Sequence, residues 1–246
     1  MTIGELYALN QYANYSKGKS ETTIHDLLTM ASGFEGDDGD DSSPGNEENM
    51  YPTDNWVKFT LDLPFDSSYK KKWHYFTAGV VVLGDILNRS VKGGLEAYAE
   101  RKLFKPLGIR HYQWQYTPQH VPNTAGGLKL RALDLAKYGL LYKNKGQWKD
   151  RSLLSNTWVE KTFTPYHPLP GRPGEYYGYL FWNKTFHVGG KDYTVNYCSG
   201  NGGNYVMIFR DQPFVVVITA TAYGQSYAHP QVHRIMTEFL IPALIK

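Results

Sequence analysis

The sequence predicts an α+β fold in which a helical, loop-rich lobe precedes an antiparallel sheet flanked by helices. Three observations carry that expectation. Apolar residues recur at helical spacing through the first two thirds of the chain. From Tyr176 the pattern changes to short β-rich runs separated by Gly, Asn, Asp and Pro, and after these an apolar stripe at helical spacing closes the chain. No internal repeat and no clean linker divides the 246 residues. The expectation is therefore one domain over 1–246, helical and loop-rich over about 1–170, with the sheet and its closing helix over about 176–246.

Residues 1–20 are polar and aromatic with no clear period. Thr23-Ile24-His25-Asp26 then starts a short amphipathic helix, with Thr23 as N-cap and Asp26 three residues on, and Ser32-Gly33 ends it. Residues 36–49 hold six acidic side chains among Gly, Ser and Pro, which predicts a solvated loop that buries nothing. A calcium loop does not fit there, because the sixth-position Gly and twelfth-position Glu are missing. Trp56 to Leu63 reads as a strand or a short helix, and Val80 to Asn88 as a buried helix. Leu95, Tyr98, Ala99 and Leu103 predict another helix, closed by Pro106 and Gly108. Leu133, Ala136, Leu140 and Leu141 mark one more. Ser155 caps a further short helix whose Trp158 is expected to face inward.

The four β-rich runs are Tyr177 to Trp182, Tyr193 to Tyr197, Tyr205 to Phe209 and Phe214 to Thr221, read as consecutive antiparallel strands. Val232, Ile235, Met236, Phe239 and Leu240 fall on one face of a closing helix that is expected to lie across them.

Composition narrows the function classes. An apolar content of 41% is that of a chain with a real core. The net charge of +3 is dispersed, and Lys70-Lys71-Lys72 reads as a solvated turn, so nucleic acid is not an expected partner. No stretch has the length and apolarity to cross a membrane. The single cysteine, Cys198, excludes a disulfide framework and a multi-cysteine metal site. His229 and His233 are four apart, yet Pro230 and the lack of a third ligand argue against zinc, and no metal or cofactor is expected.

Two stretches hold candidate chemistry. In Lys72-Trp73-His74-Tyr75-Phe76-Thr77-Ala78-Gly79 a turn ends on an aromatic hydroxyl and launches an apolar helix. A phenol at a helix N-terminus is favoured as phenolate, which suits proton transfer; Tyr75 also reads as an ordinary core tyrosine. Cys198-Ser199-Gly200-Asn201-Gly202-Gly203-Asn204 stands between two strands. Its glycines permit the close approach that a backbone oxyanion site needs, and equally a plain hairpin turn.

Taken in order, these segments resemble the serine β-lactamase and penicillin-binding-protein-like hydrolases, in particular the class C-related branch with esterases and amide hydrolases. The segment Thr23 to Gly33 is similar to that branch's Thr-Ile-x-x-Leu-Leu signature, and Tyr75-Phe76-Thr77 to its Tyr-x-Asn or Tyr-x-Ser motif. Leu103 to Ile109, Gly126-Gly127-Leu128 and Asp134 to Gly139 resemble further family segments, and Ser199 to Asn204 falls where the family has Lys-Thr-Gly or His-x-Gly.

The resemblance implies a serine that attacks an ester or amide carbonyl, with Tyr75 moving the proton, Thr77 as a neighbouring hydroxyl donor, and the backbone of Gly200, Asn201 and Gly202 holding the oxyanion. It also implies a Ser-x-x-Lys turn ahead of the Thr-Ile-x-x-Leu-Leu signature. Ser16 and Lys19 have that spacing, but Gly18 and polar neighbours predict a loop; Ser67 with Lys70 and Ser68 with Lys71 lie in a turn close to Tyr75. The chain thus reads as an N-terminally truncated relative, catalytically silent as given, with a non-catalytic binding module as the alternative. No Lys or His stands in the third motif, which favours a neutral small-molecule ester or amide over a carboxylate-bearing substrate. The resemblance points to a periplasmic or secreted protein if a signal precedes it, and it leaves oligomeric state open.

Overall fold

The computed structural model describes residues 1–244. Helix starts in the first third follow their caps. Thr2 and Glu5 bracket α1 (Ile3–Leu6), Ser16 opens α2 (Lys17–Ser20), and Thr23 with Asp26 forms a reciprocal cap on α3 (Ile24–Leu28). Asn46 and Asn55 open α4 (Glu47–Met50) and α5 (Trp56–Asp62), each with its side-chain oxygen on a first-turn N–H. Of the two readings of Trp56 to Leu63, helix is correct. Then come α6 (Thr77–Ser90) and α7 (Gly94–Ala99), which continues through a wide turn over Glu100–Phe104 into α8 (Lys105–Leu107). A small antiparallel pair, β1 (Gln113–Trp114) with β2 (Leu128–Lys129), follows.

The chain divides into two units, residues 1–105 with 112–129, and residues 106–111 with the chain from Leu130 onward. The core of the first gathers Leu27, Phe34, Met50, Leu61, Phe76, Val81 and Ile86, so α3, α5 and α6 bury their apolar stripes together. The acidic stretch is a correction to the sequence reading. Ser43 and Asn46 are buried, because Ser43 Oγ accepts from Asp37 N at 3.0 Å and Asn46 Nδ2 donates to Asp40 O at 3.2 Å. A polar loop does bury side chains when their hydrogen bonds are met.

The second unit holds α9 (Ala132–Lys143), the small pair β3 (Gln147–Trp148) and β4 (Arg151–Ser152), and α10 (Asn156–Phe163). Its sheet has six strands: β5 (His167–Pro168), β6 (Tyr176–Tyr177), β7 (Trp182–Val188), β8 (Lys191–Gly200), β9 (Asn204–Phe209) and β10 (Val215–Ile218). They pair antiparallel in strict sequence order, a meander. Alternation sorts the faces. Tyr193, Val195, Tyr197, Tyr205, Met207 and Phe209 pack under the closing helix α11 (Ala228–Arg234) and its continuation, through Val232, Met236 and Ile241. Ile208 and Cys198 face the other way, toward Tyr142 of α9 and Val159 of α10.

Three expectations shift here. The run Tyr177 to Trp182 is two strands rather than one. A methyl on Gly178 would lie 2.3 Å from Thr162 O and Leu180 sits at φ +57, so the chain turns between β6 and β7. Trp158 is exposed, and Val159 and Thr162 supply the inward face of α10. Phe239 is also exposed, because the closing helix widens to a π-type turn over Ile235–Leu240 and rotates that residue out of the stripe.

Candidate functional site

Phe76 is the N-cap of the 14-residue helix α6, so Tyr75 stands immediately ahead of that helix and Thr77 is its first residue. Phe76 has no capping oxygen, and the missing acceptor comes from Asp38. Asp38 Oδ2 accepts from Thr77 N at 2.7 Å, Asp38 Oδ1 accepts from Glu47 N at 2.9 Å, and Asp38 N donates to Tyr75 O at 2.8 Å. One carboxylate thus caps α6 and α4 together, while the backbone N–H of the same residue holds the tyrosine. Burial pushes the Asp38 carboxyl above the usual carboxylate range, and bonds from the Thr77 backbone and hydroxyl pull it partway back. Thr77, read from sequence as a hydroxyl donor, is buried and directs that hydroxyl at Asp38.

The turn is held from its other side as well. His74 N donates to Met30 O at 2.9 Å, Lys71 N donates to Ala31 O at 3.2 Å, and the imidazole lies on Tyr69 with its Nδ1 2.9 Å from Asp37 Oδ2. Trp73 and Tyr75 share one side of this extended stretch, with ring centroids 6.2 Å apart. Phe76 points the other way into the core against Phe34. Tyr75 is half-buried. Asp38→Ala is expected to lower stability by about 2 kcal/mol through the two lost caps, and Asp38→Asn, which keeps one acceptor oxygen, by about half that. Urea unfolding of the three proteins is the check.

The glycine stretch forms the hairpin between β8 and β9, where Gly200 pairs with Asn204. Gly202 and Gly203 have φ of +85 and +86, which only glycine adopts without strain. The segment after β10 docks on this turn. Ala222 N donates to Gly202 O at 3.2 Å, Gly224 N to Asn201 Oδ1 at 3.2 Å, and Ala220 N to Asn204 Oδ1 at 3.1 Å. Asn201, Gly202 and Asn204 together therefore strap residues 220–224 to the turn.

Other reactive residues have different work. Ser16 does start a one-turn helix, contrary to the loop expectation, since its Oγ accepts from Lys19 N at 3.1 Å. Lys19 Nζ, however, donates to Ala13 O and Leu61 O. Ser68 Oγ donates to Asp66 Oδ2 at 2.7 Å. Burial pushes the Cys198 thiol up to about 12, far from a thiolate at neutral pH. His229 Nδ1 lies 2.8 Å from the Tyr205 hydroxyl, while His233 faces the Lys184 amine. Among the described residues no group of three or more His, Cys, Asp or Glu is arranged to hold a metal ion. Nor is any helix there long and apolar enough to cross a membrane. A hollow of about 460 Å³ opens beside α5, lined by Asp54, Phe59, Asp62 and Pro64, and Tyr75 is not among its lining residues.

A helical lobe, a consecutive antiparallel meander and a closing helix, with a tyrosine at a helix start and a glycine hairpin, are the parts of a β-lactamase or transpeptidase-like fold. The sequence matches the profile of the Beta-lactamase family over residues 8–235, and the chain belongs to that family. Among solved structures it is similar to a putative 6-aminohexanoate-dimer hydrolase from Bacillus anthracis, with a TM-score of 0.74 at 14% identity, over 100% of this chain and 67% of that one. It is similar to the octameric penicillin-binding protein homologue from Pyrococcus abyssi, with a TM-score of 0.62 at 21% identity, over 93% of this chain and 59% of that one. A D-stereospecific amidohydrolase from Streptomyces sp. gives 0.62 at 16%, over 92% of this chain and 75% of that one. At these identities the likeness is one of fold. A search of curated protein sequences finds no match.

Proposed function

We propose that this chain has the acyl-handling site of a serine hydrolase for a neutral ester or amide. In the first unit Tyr75 is assigned the proton transfer, with Thr77 holding its turn through Asp38; in the second, taken by itself, the backbone of Gly200, Asn201 and Gly202 is assigned the oxyanion. The observation that carries the reading is Tyr75 fixed at the start of α6 by Asp38, whose half-buried carboxylate caps the helix and whose backbone N–H donates to Tyr75 O. The names of the structural neighbours, a D-stereospecific amidohydrolase and a putative 6-aminohexanoate-dimer hydrolase among them, support the reaction class.

A serine with an amine directed at it is not identifiable among the described residues, since Lys19 Nζ is bonded to two carbonyls. Turnover by the chain alone is accordingly expected to be negligible. The same observation favours the second reading, a site that binds without reacting. A fluorophosphonate probe followed by intact mass and peptide mapping tests the attacker, and no adduct is expected; a label on Ser16, Ser67 or Ser68 overturns its absence. Titration with acetamide, followed by ligand-observed NMR, tests the site. Tyr75→Phe is expected to weaken binding about fivefold, the effect of one lost hydrogen bond. Equal affinity of the two proteins sinks the role given to Tyr75.

A further inference from the structure

The segment after β10 is bound to the glycine hairpin by three backbone donors, and it carries an unexplained side chain. Tyr223 is 60% exposed, yet its ring lies directly on Gly202. A methyl built on Gly202 would come within 2.9 Å of Tyr223 Cδ1 and 3.0 Å of Cε1. The absence of a side chain at 202 is what seats the ring, and the positive φ there keeps the seat reserved for glycine. Gly203 is closed by Ala228 O, 3.1 Å from where its methyl would stand, so the turn is backed by the start of α11. Asn201 and Asn204 fix residues 220 and 224 on either side of the aromatic residue. The result is an aromatic ring held by a rigid frame with most of its area open. Single exposed aromatic side chains are common on protein surfaces; what marks this one is its seat on the glycine turn assigned to the oxyanion.

The charge around it is as informative. From Cys198 to Phe209 and from Gln212 to His233 the chain has no Asp, Glu, Lys or Arg. Two cations of the same unit, Arg172 in the β5–β6 turn and Lys184 on β7, are both committed to Glu175. The two segments that build the turn and carry Tyr223 thus present a flat ring and amide dipoles, with no carboxylate, amine or guanidinium of their own.

We propose that Tyr223 is the wall that receives the acyl side chain of the substrate, and that the acyl groups accepted are uncharged and flat, aromatic ones above all. This rests on the reading of the Gly200–Gly202 backbone as the oxyanion site, and it goes further in naming a specificity residue and the acyl class. A ring on a glycine turn discriminates by offset stacking, which a short aliphatic acyl group cannot use and a carboxylate cannot pay for in lost hydration.

The test is a binding series on the whole chain by ligand-observed NMR with phenylacetamide, acetamide and succinamate. Phenylacetamide is expected to bind about tenfold tighter than acetamide, and succinamate no better than acetamide. Tyr223→Ala is expected to remove the phenylacetamide advantage and leave acetamide unchanged, whereas Tyr223→Phe retains it. Tyr223→Leu, which keeps an apolar side chain but offers no ring face, serves as the second variant and is expected to reproduce Tyr223→Ala. A wild-type chain without preference for phenylacetamide, a Tyr223→Ala chain that keeps it, or tight succinamate binding each overturns the proposal. Tyr75→Phe separates this from the broader reading. If it leaves acetamide binding intact while Tyr223→Ala still removes the aromatic preference, the wall stands and the role of Tyr75 falls.

Discussion

Lys19→Ala is expected to lower the stability of the chain by about 3–4 kcal/mol, although nothing in the sequence around it suggests a structural residue. The side chain is fully buried. Its amine donates to Ala13 O at 3.0 Å and Leu61 O at 2.9 Å, and lies 5.6 Å from the centre of the Phe34 ring. Leu61 is in the last turn of α5, where carbonyls lack helical partners and the helix dipole favours a cation. Ala13 N meanwhile donates to Asp62 Oδ1 at 2.8 Å, so the amine and that carboxylate together join residues 13–19 to the end of α5. Burial lowers the Lys19 pKa, and Asp62 opposes the shift. Truncation leaves the buried Leu61 carbonyl and the part-buried Ala13 carbonyl without the amine, and a void where the four-carbon stem lay. Lys19→Met refills the void and leaves only the carbonyls, so about 2 kcal/mol is expected. Urea midpoints at pH 7 check both. A Lys19→Ala protein within about 0.5 kcal/mol of the parent, the range of an ordinary surface change, would show that water replaces the amine without cost.

Lys19 also illustrates what a single sequence can and cannot reveal. Thr23 with Asp26, Ser155 as a cap, and the apolar helix after Tyr75 were legible because each is decided within four residues. The meander was legible because its hairpins join neighbouring strands and alternate in burial. The partners of the functional stretches were not. Asp38 reaches Thr77 across 39 positions, and Lys19 reaches Leu61 across 42, with no local pattern to mark either. Tyr223 belongs with Gly202 only because the segment after β10 returns to the β8–β9 turn. Trp158 and Phe239 were misplaced for a different reason. Helical periodicity fixes a stripe but not its edge, so Val159 is buried in place of its neighbour Trp158, and it does not foresee the wide turn over Ile235–Leu240 that carries Phe239 out.

Glu175→Gln is expected to cost about 2–4 kcal/mol and to make the protein more sensitive to acid. Glu175 Oε1 is 3.2 Å from the Lys184 amine, its other oxygen pairs with Arg172, and Arg172 Nη2 also donates to the Tyr197 hydroxyl at 3.0 Å. The Lys184 side chain is only 8% exposed, so removing its counter-charge leaves a buried cation next to a second one. Burial already lowers the Lys184 pKa, with Glu175 holding it up. A Glu175→Gln, Lys184→Met double variant removes the pair together, and is expected to recover most of the loss. The acid effect runs through His233, whose Nδ1 lies 3.2 Å from the same amine. Burial and then the Lys184 charge push the His233 pKa down to about 4, and Glu175 pulls it the other way. Between that value and about 6.5, the unfolded histidine binds a proton that the folded one refuses, so stability is greatest above the window and falls as pH drops through it. Without Glu175 the folded value moves lower and the fall extends further. With Lys184→Met it moves up and the fall shrinks. NMR titration of the His233 ring in the parent, Glu175→Gln and Lys184→Met proteins, beside urea midpoints at pH 7 and pH 5, reads both effects. An unchanged His233 titration in Lys184→Met would mean that burial alone sets it, and that the amine contributes nothing to the acid response of the closing helix.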